Sequence, residues 1–378
     1  MIDGLDIGLV DRAAGLIFLL LIFFSLRPEQ GRAQKHRKQG KRSPAPGRDL
    51  FFDFAKGVAM VIVVGIHTND AIPRGGLPDR MLWFALPLFV IASGYLLMRR
   101  YAADFDVRRF ASNTFWRIVV PYIIYTIFAG LFIYPRANWT QILSDIVLGG
   151  QNNGSLFFIP LLLQLYVVFA LLATWPALRR LMLHPITLAL IFLLSYAISD
   201  ADHSLRVARW NSHAESLIFA GRYLFYFMMG MWLAGSRMEK KSAWGLAAVL
   251  VLSIPLLLVA YDPLGWDQPF VYPIWAFLTL YLFYQALNKN TWASRPIGAF
   301  AAVGQYSLII YMIHQTVIYN GLWQLRDLIP FGGWLRSDLI AVVAVVISYV
   351  LGKLLMDGYA KILKWGKTRI GARGCQMN

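Results

Sequence analysis

Cysteine is almost missing from this chain, and charge is scarce. The single thiol, Cys375, stands in the last four residues, so no internal disulfide, CxxC redox pair or cysteine-based zinc site can form. Charged residues make up 15% of the 378 positions, against about 25% in an ordinary globular domain. Hydrophobic residues make up 58%, and mean hydropathy is +0.54. Water is therefore not the main solvent. There is no P-loop, no Rossmann glycine fingerprint, no HExxH and no internal repeat. Acids are the scarcer sign, 20 against 36 Lys and Arg, leaving +16. On a soluble protein that excess would suggest nucleic acid; in a polytopic membrane protein basic residues collect in cytoplasmic loops instead, and no nucleic-acid partner is expected.

What the chain has in quantity is long apolar runs. They fall at 7–26, 52–70, 81–98, 115–134, 156–175, 184–199, 217–235, 243–261, 270–287, 298–319 and 338–357. Most approach the roughly 20 residues of a spanning helix, so the reading is an all-α polytopic bundle of ten or eleven crossings. The first run is the weakest, because Asp11 and Arg12 interrupt it. Alternate loops divide the Lys and Arg 26 to 7. That imbalance puts the richer set, with the C-terminus, in the cytoplasm and the N-terminus outside if the first run crosses. Residues 1–26 read as an extra N-terminal helix and 27–48 as a basic cytoplasmic linker held near anionic lipid. Residues 49–358 read as the membrane domain and 359–378 as a basic tail. The loops on the outer side are short, so any chemistry belongs to the membrane domain itself.

Ionisable groups inside spans carry the most information, since each costs about 2.5–3.5 kcal/mol at the bilayer centre unless it faces a polar cavity. Lys56 and His67 share the run FDFAKGVAMVIVVGIHTND. Eleven steps of 100° end about 20° from three full turns, and at 1.5 Å per residue they separate the two by about 16 Å. One helix face then shows a cation towards one side of the membrane and a titratable base towards the other. Asp70, three residues after His67, is placed to orient the imidazole. The competing reading is a snorkelling lysine and a packed histidine.

Five segments, in order, resemble the membrane-bound acyltransferase-3 family: the Lys56-x10-His67 run, ALPLFVIASGYLL, the Arg117-containing FWRIVVPYIIY, GSLFFIPLLLQLYVV and GQYSLIIYMIHQ. The resemblance extends from about Arg48 to about Gly358. It implies ten spans and transfer of an acyl group, acetyl or in some members succinyl, from cytoplasmic acyl-CoA to an extracytoplasmic polysaccharide or glycolipid. It also implies a bacterial inner-membrane protein with lipid and glycan as its partners and no permanently bound cofactor. The family often shows Arg-x-x-Arg before Pro-Tyr; here Thr114 stands at the first position and only Arg117 is kept.

The residues support such a transfer on their own account. The loop from Arg99 to Arg117 holds five arginines, and guanidinium groups suit the phosphates of coenzyme A; Arg108, Arg109 and Arg117 are the donor-binding candidates. A sugar hydroxyl needs a base, for which His67 is best placed, with Lys56 or an arginine to stabilise the oxyanion. Direct attack and a two-step route through an acylated side chain both fit. Ser93 is a possible nucleophile or a small-residue helix contact. Arg222, Tyr223 and His314 are candidates for an acceptor site or polar cavity. His203 and His213 with Asp200, Asp202 and Glu215 make a weak metal candidate. Trp139, Trp210 and Trp266 could stack on a glycan. A transporter or flippase of a glycan intermediate is the rival function, with a non-catalytic export partner behind it.

Overall fold

A computed structural model describes residues 7–26, 49–68, 82, 84–134, 138–149, 156–208, 215–235, 243–259, 271–288, 290–329 and 333–374. Helix is the only regular element among them: α1 (Ile7–Ser25), α2 (Leu50–Thr68), α3 (Ala85–Tyr101), α4 (Val107–Thr114), α5 (Val120–Phe128), α6 (Trp139–Leu148), α7 (Phe158–Thr174), α8 (Pro176–Met182), α9 (Pro185–Ala208), α10 (Glu215–Gly235), α11 (Ala243–Val259), α12 (Tyr272–Leu287), α13 (Ser294–Gln305), α14 (Ser307–Asn320) and α15 (Gly333–Gly374). The chain is an all-α helical bundle, and among the described residues each of the eleven apolar runs contains helix.

Among the described residues, three helical stretches are each long and apolar enough to cross a membrane: Leu50–Thr68, Val107–Ile133 and Leu335–Ile362. The count reaches five if two bent pairs are each one span. Other apolar helices fall below that length among the described residues. A 17-residue helix such as α3 or α7 is about 25 Å long, short of a hydrocarbon core of about 30 Å. The run 298–319 is not one straight rod, because α13 and α14 meet at 82°. Likewise α7 turns by 118° into the short α8.

Glycine sets the closest helix contacts. A Cβ on Gly57 of α2 would overlap the Phe300 carbonyl of α13, and one on Gly304 of α13 would overlap the Asp53 carbonyl of α2. Gly94 of α3 and Gly230 of α10 make the same reciprocal contact with the Phe227 and Ile91 carbonyls. In lipid, where apolar side chains gain little by leaving their surroundings, such close backbone approach supplies packing. Phe52 stacks on Tyr95 at 4.1 Å, tying α2 to α3. Arg12, inside the first apolar run, lies 4.8 Å from the Tyr196 ring centre, where the aromatic face accepts its charge.

The helix carrying Arg117 is irregular. Phe115–Val119 and Ala129–Ile133 are π-turns interrupting an otherwise continuous rod, a geometry that often accompanies functional sites. Tyr359 of α15 donates to the Trp116 carbonyl at 2.8 Å within the first of these turns. One helix lies in what the sequence reading treated as an outer loop. That helix, α6, begins at a reciprocal cap in which Asn138 accepts from the Gln141 amide and Gln141 accepts from the Asn138 amide.

Candidate functional site: a cation-lined cavity and a histidine pair

The site begins with two residues one helical turn apart. Asp53 and Lys56 of α2 form an ion pair at 3.0 Å, the aspartate side chain 8% and the lysine 21% exposed. Each charge offsets the other at that depth, the lysine keeping some contact with solvent. The Gly57–Gly304 approach fixes this turn of α2 against α13.

Lys56 faces a cavity of about 360 Å³. Its walls come from five helical segments: Lys56 from α2; Ser93 and Arg100 from α3; Asn113, Thr114 and Arg117 from α4 and the π-turn; Phe158, Leu162 and Tyr166 from α7; and Ser307, Leu308 and Tyr311 from α14. Most of the lining is apolar. Arg100 and Arg117 are solvent-exposed, whereas Phe158, Leu162 and Tyr311 are buried, so the guanidinium groups stand at the open side and an apolar floor closes the other. Ser93 and Tyr166 both border the cavity with hydroxyl-bearing side chains. Gly94, beside Ser93, is the residue that makes the helix contact, so the two readings of this segment fall on adjacent side chains.

Eleven residues beyond Lys56, half-buried His67 meets the same neighbour helix, α14. The Gln315 amide nitrogen lies 3.3 and 3.4 Å from the two ring nitrogens. Such near-equal separations favour neither nitrogen. The Tyr319 hydroxyl donates to the His67 carbonyl at 3.4 Å. His314 is fully buried, with its ring centre 5.1 Å from that of His67. Its Nδ1 lies 2.7 Å from the Tyr311 carbonyl, which accepts from an N–H at that position and leaves Nε2 as a lone-pair acceptor. That Nε2 is buried without a hydrogen-bond partner among the described residues.

Lys56 and His67 therefore do face one element, as their phase on the helix predicts. The cavity does not reach His67, however. Tyr311 is on its wall, with its ring centre 5.7 Å from that of His314, which in turn is 5.1 Å from that of His67. Tyr223 is buried, with its ring centre 6.1 Å from that of Tyr226. Arg222 is half-buried and not free of partners.

Arg108 and Arg109 are exposed and absent from the cavity wall. Their backbone amides donate to Asp106, which caps α4 at 2.8 and 3.2 Å. Asp70, His213, Trp210, Trp266 and the linker 27–48 lie outside the described residues, as do the side chains of Asp200, Asp202, His203 and Glu215. Trp139 is exposed at the start of α6. Reading the sequence did not single out Asp53, whose i,i+3 spacing from Lys56 within an apolar helix was the available signal. Nor did it single out Arg100, Asn113 or Tyr166, which no local pattern marks.

The family described as "Acyltransferase domain" (Acyl_transf_3) matches residues 49–353. The chain belongs to this acyltransferase family. Neither a curated protein nor a solved structure matches it. With its apolar helices, this acyltransferase is a multi-pass membrane protein. The matched region opens at the first turn of α2 and closes within α15, so it holds the cavity and both histidines, while α1 precedes it.

Proposed function

We propose that the protein is an O-acyltransferase of the bacterial inner membrane. It takes an acyl group, acetyl first and succinyl next, from cytoplasmic acyl-CoA and passes it to a sugar hydroxyl of an extracytoplasmic polysaccharide or glycolipid. The C-terminus is cytoplasmic and the N-terminus extracytoplasmic. One observation carries this reading: α2 presents a cation to a guanidinium-lined cavity and, about 16 Å further along, an imidazole to a polar face of the same neighbour helix.

Donor phosphates meet Arg117 at the open side, where charge-assisted hydrogen bonds are strongest for planar guanidinium groups. The N-terminal end of α14 at Ser307 adds partial positive charge to the same cavity. His67 removes the proton of the acceptor hydroxyl as its oxygen attacks the thioester carbonyl. The tetrahedral intermediate then expels the CoA thiolate, which regains a proton as free thiol. Lys56 is the cation nearest the path for the intermediate's oxyanion, and Asp70 supports the His67 imidazolium. Direct transfer is favoured over an acylated Ser93, because among the described residues no histidine or carboxylate lines the cavity beside it to act as a base. Arg222, Tyr223 and His314 belong to the acceptor side of this scheme.

The test uses purified protein in lipid with labelled acetyl-CoA and envelope polysaccharide. His67→Ala is expected to lose transfer by about 10²–10⁴-fold while still binding donor. Unchanged acylation would remove His67 from the mechanism. Mass spectrometry of envelope glycans, with and without the protein, then identifies the acceptor.

A further inference from the structure

We infer that Arg100 and Arg117 form a two-armed clamp for the phosphate groups of the donor, with Arg100 supplying the arm that Arg108 and Arg109 do not. The inference deepens the function proposed above and rests on it for the identity of the donor, though not for the chemistry of the clamp.

Both guanidinium-bearing residues line one cavity. Among the described residues, neither has a carboxylate within ion-pairing distance, whereas the third cation of the cavity, Lys56, is already balanced by Asp53 at 3.0 Å. Two uncompensated positive charges over an apolar floor select a multiply charged anion, and the planar fork of arginine selects phosphate oxygens. The arms come from different walls, Arg100 from the last turn of α3 and Arg117 from the π-turn after α4.

Arg100 is also held in place. Its guanidinium carbon lies 5.2 Å from the Tyr101 ring centre, and Tyr101 is fixed in turn by the Asn113 amide, which donates to its hydroxyl at 3.2 Å. Phe110 packs edge-on against the same ring at 5.3 Å. Asn113 and Phe110 line the cavity too, so the support of the arm is part of the wall. A restrained guanidinium loses less freedom when it closes on a ligand than a free one does. Thr114, one turn before Arg117, borders the same space with a short side chain, leaving room for an arm from the opposite wall.

Calorimetric titration of the whole protein in nanodiscs tests the clamp with three probes: CoA, pantetheine, which lacks the phosphates, and inorganic pyrophosphate. Arg100→Ala is expected to weaken CoA and pyrophosphate roughly tenfold to a hundredfold and to leave pantetheine unchanged. Arg100→Ala combined with Thr114→Arg is expected to recover most of the loss, because the new arginine enters the same cavity. Arg99→Ala, whose side chain lies over Tyr95 and outside the wall, serves as the control and keeps wild-type affinity. Unchanged CoA affinity in Arg100→Ala would overturn the clamp while leaving the acyl-CoA reading intact. Equal losses for CoA and pantetheine would also overturn it, by making the effect one of shape. Pyrophosphate binding that depends on Arg100 without any CoA binding would uphold the clamp and overturn the acyl-CoA reading.

Discussion

Two glycines of α2 differ only in what lies beside them, which makes their alanine variants a sharp test of the packing that places Lys56. In a helix interior alanine is favoured over glycine by about 0.5–1 kcal/mol. A Cβ on Gly65 meets nothing within 4 Å, so Gly65→Ala is expected to show that gain. A Cβ on Gly57 runs into the Phe300 carbonyl, a backbone group that cannot rotate away, and relief requires α2 and α13 to part. Overpacking costs about 1–3 kcal/mol, with a backbone obstacle near the upper end. After the helical gain is set against it, Gly57→Ala should be destabilised by about 2 kcal/mol. Because Gly57 follows Lys56, the same displacement should weaken donor binding. Thermal unfolding in one detergent, with CoA titration alongside, reads both. If Gly57→Ala melts at or above the wild type, or tracks Gly65→Ala, the close approach of α2 and α13 is wrong, and with it the placement of the cavity wall.

Asp53→Asn removes the counter-charge of Lys56 without changing shape. It is expected to lower the melting temperature by the equivalent of about 1 kcal/mol, discounted because Lys56 keeps some contact with solvent, yet to tighten CoA by raising the net positive charge of the cavity. Weaker CoA binding would show that the carboxylate itself serves the donor. His314→Phe keeps a ring in a fully buried place and deletes both an unpartnered Nε2 and the Nδ1 hydrogen bond to the Tyr311 carbonyl, so the two effects offset and stability should change by less than about 1 kcal/mol while the transfer rate falls. An equally stable protein with full transfer would make His314 a packing residue only.

The apolar runs of the sequence made the helices legible, because among the described residues each of the eleven contains helix. It did not make their straightness legible. One glycine in GAFAAVGQYSLIIYMIHQ does not by itself announce an 82° bend; the bend falls beside Gly304, which lies against the Asp53 carbonyl, a contact between positions some 250 residues apart. The shared face of Lys56 and His67 was legible because it depends on one helix alone. Which arginines border the cavity was not, because Arg100, Arg108, Arg109 and Arg117 look alike in sequence. The cavity wall and the cap at Asp106 separate them only once α3, α4 and the π-turn are packed together.

The bend also explains how a cavity on one side of the bundle and an imidazole further on come to share a wall. After Tyr306 the chain restarts as α14, parallel to α2: Leu308 borders the cavity with Lys56, and Tyr319, eleven residues on, bonds the carbonyl of His67, eleven residues beyond Lys56. Ser307, Leu308, Tyr311, His314 and Gln315 fall at helical spacing on one stripe, so α14 rather than α2 alone defines the route. On that stripe Tyr311 lines the cavity and His314 links its ring to that of His67 by close ring contacts. In a membrane-spanning enzyme a closed stretch there has a physical use, since an open polar path across roughly 30 Å of hydrocarbon would pass protons and water. Transfer then requires only that the thioester-bearing end of the donor move past Tyr311, while the phosphates stay on the arginines at the open side, where the proposed clamp holds them.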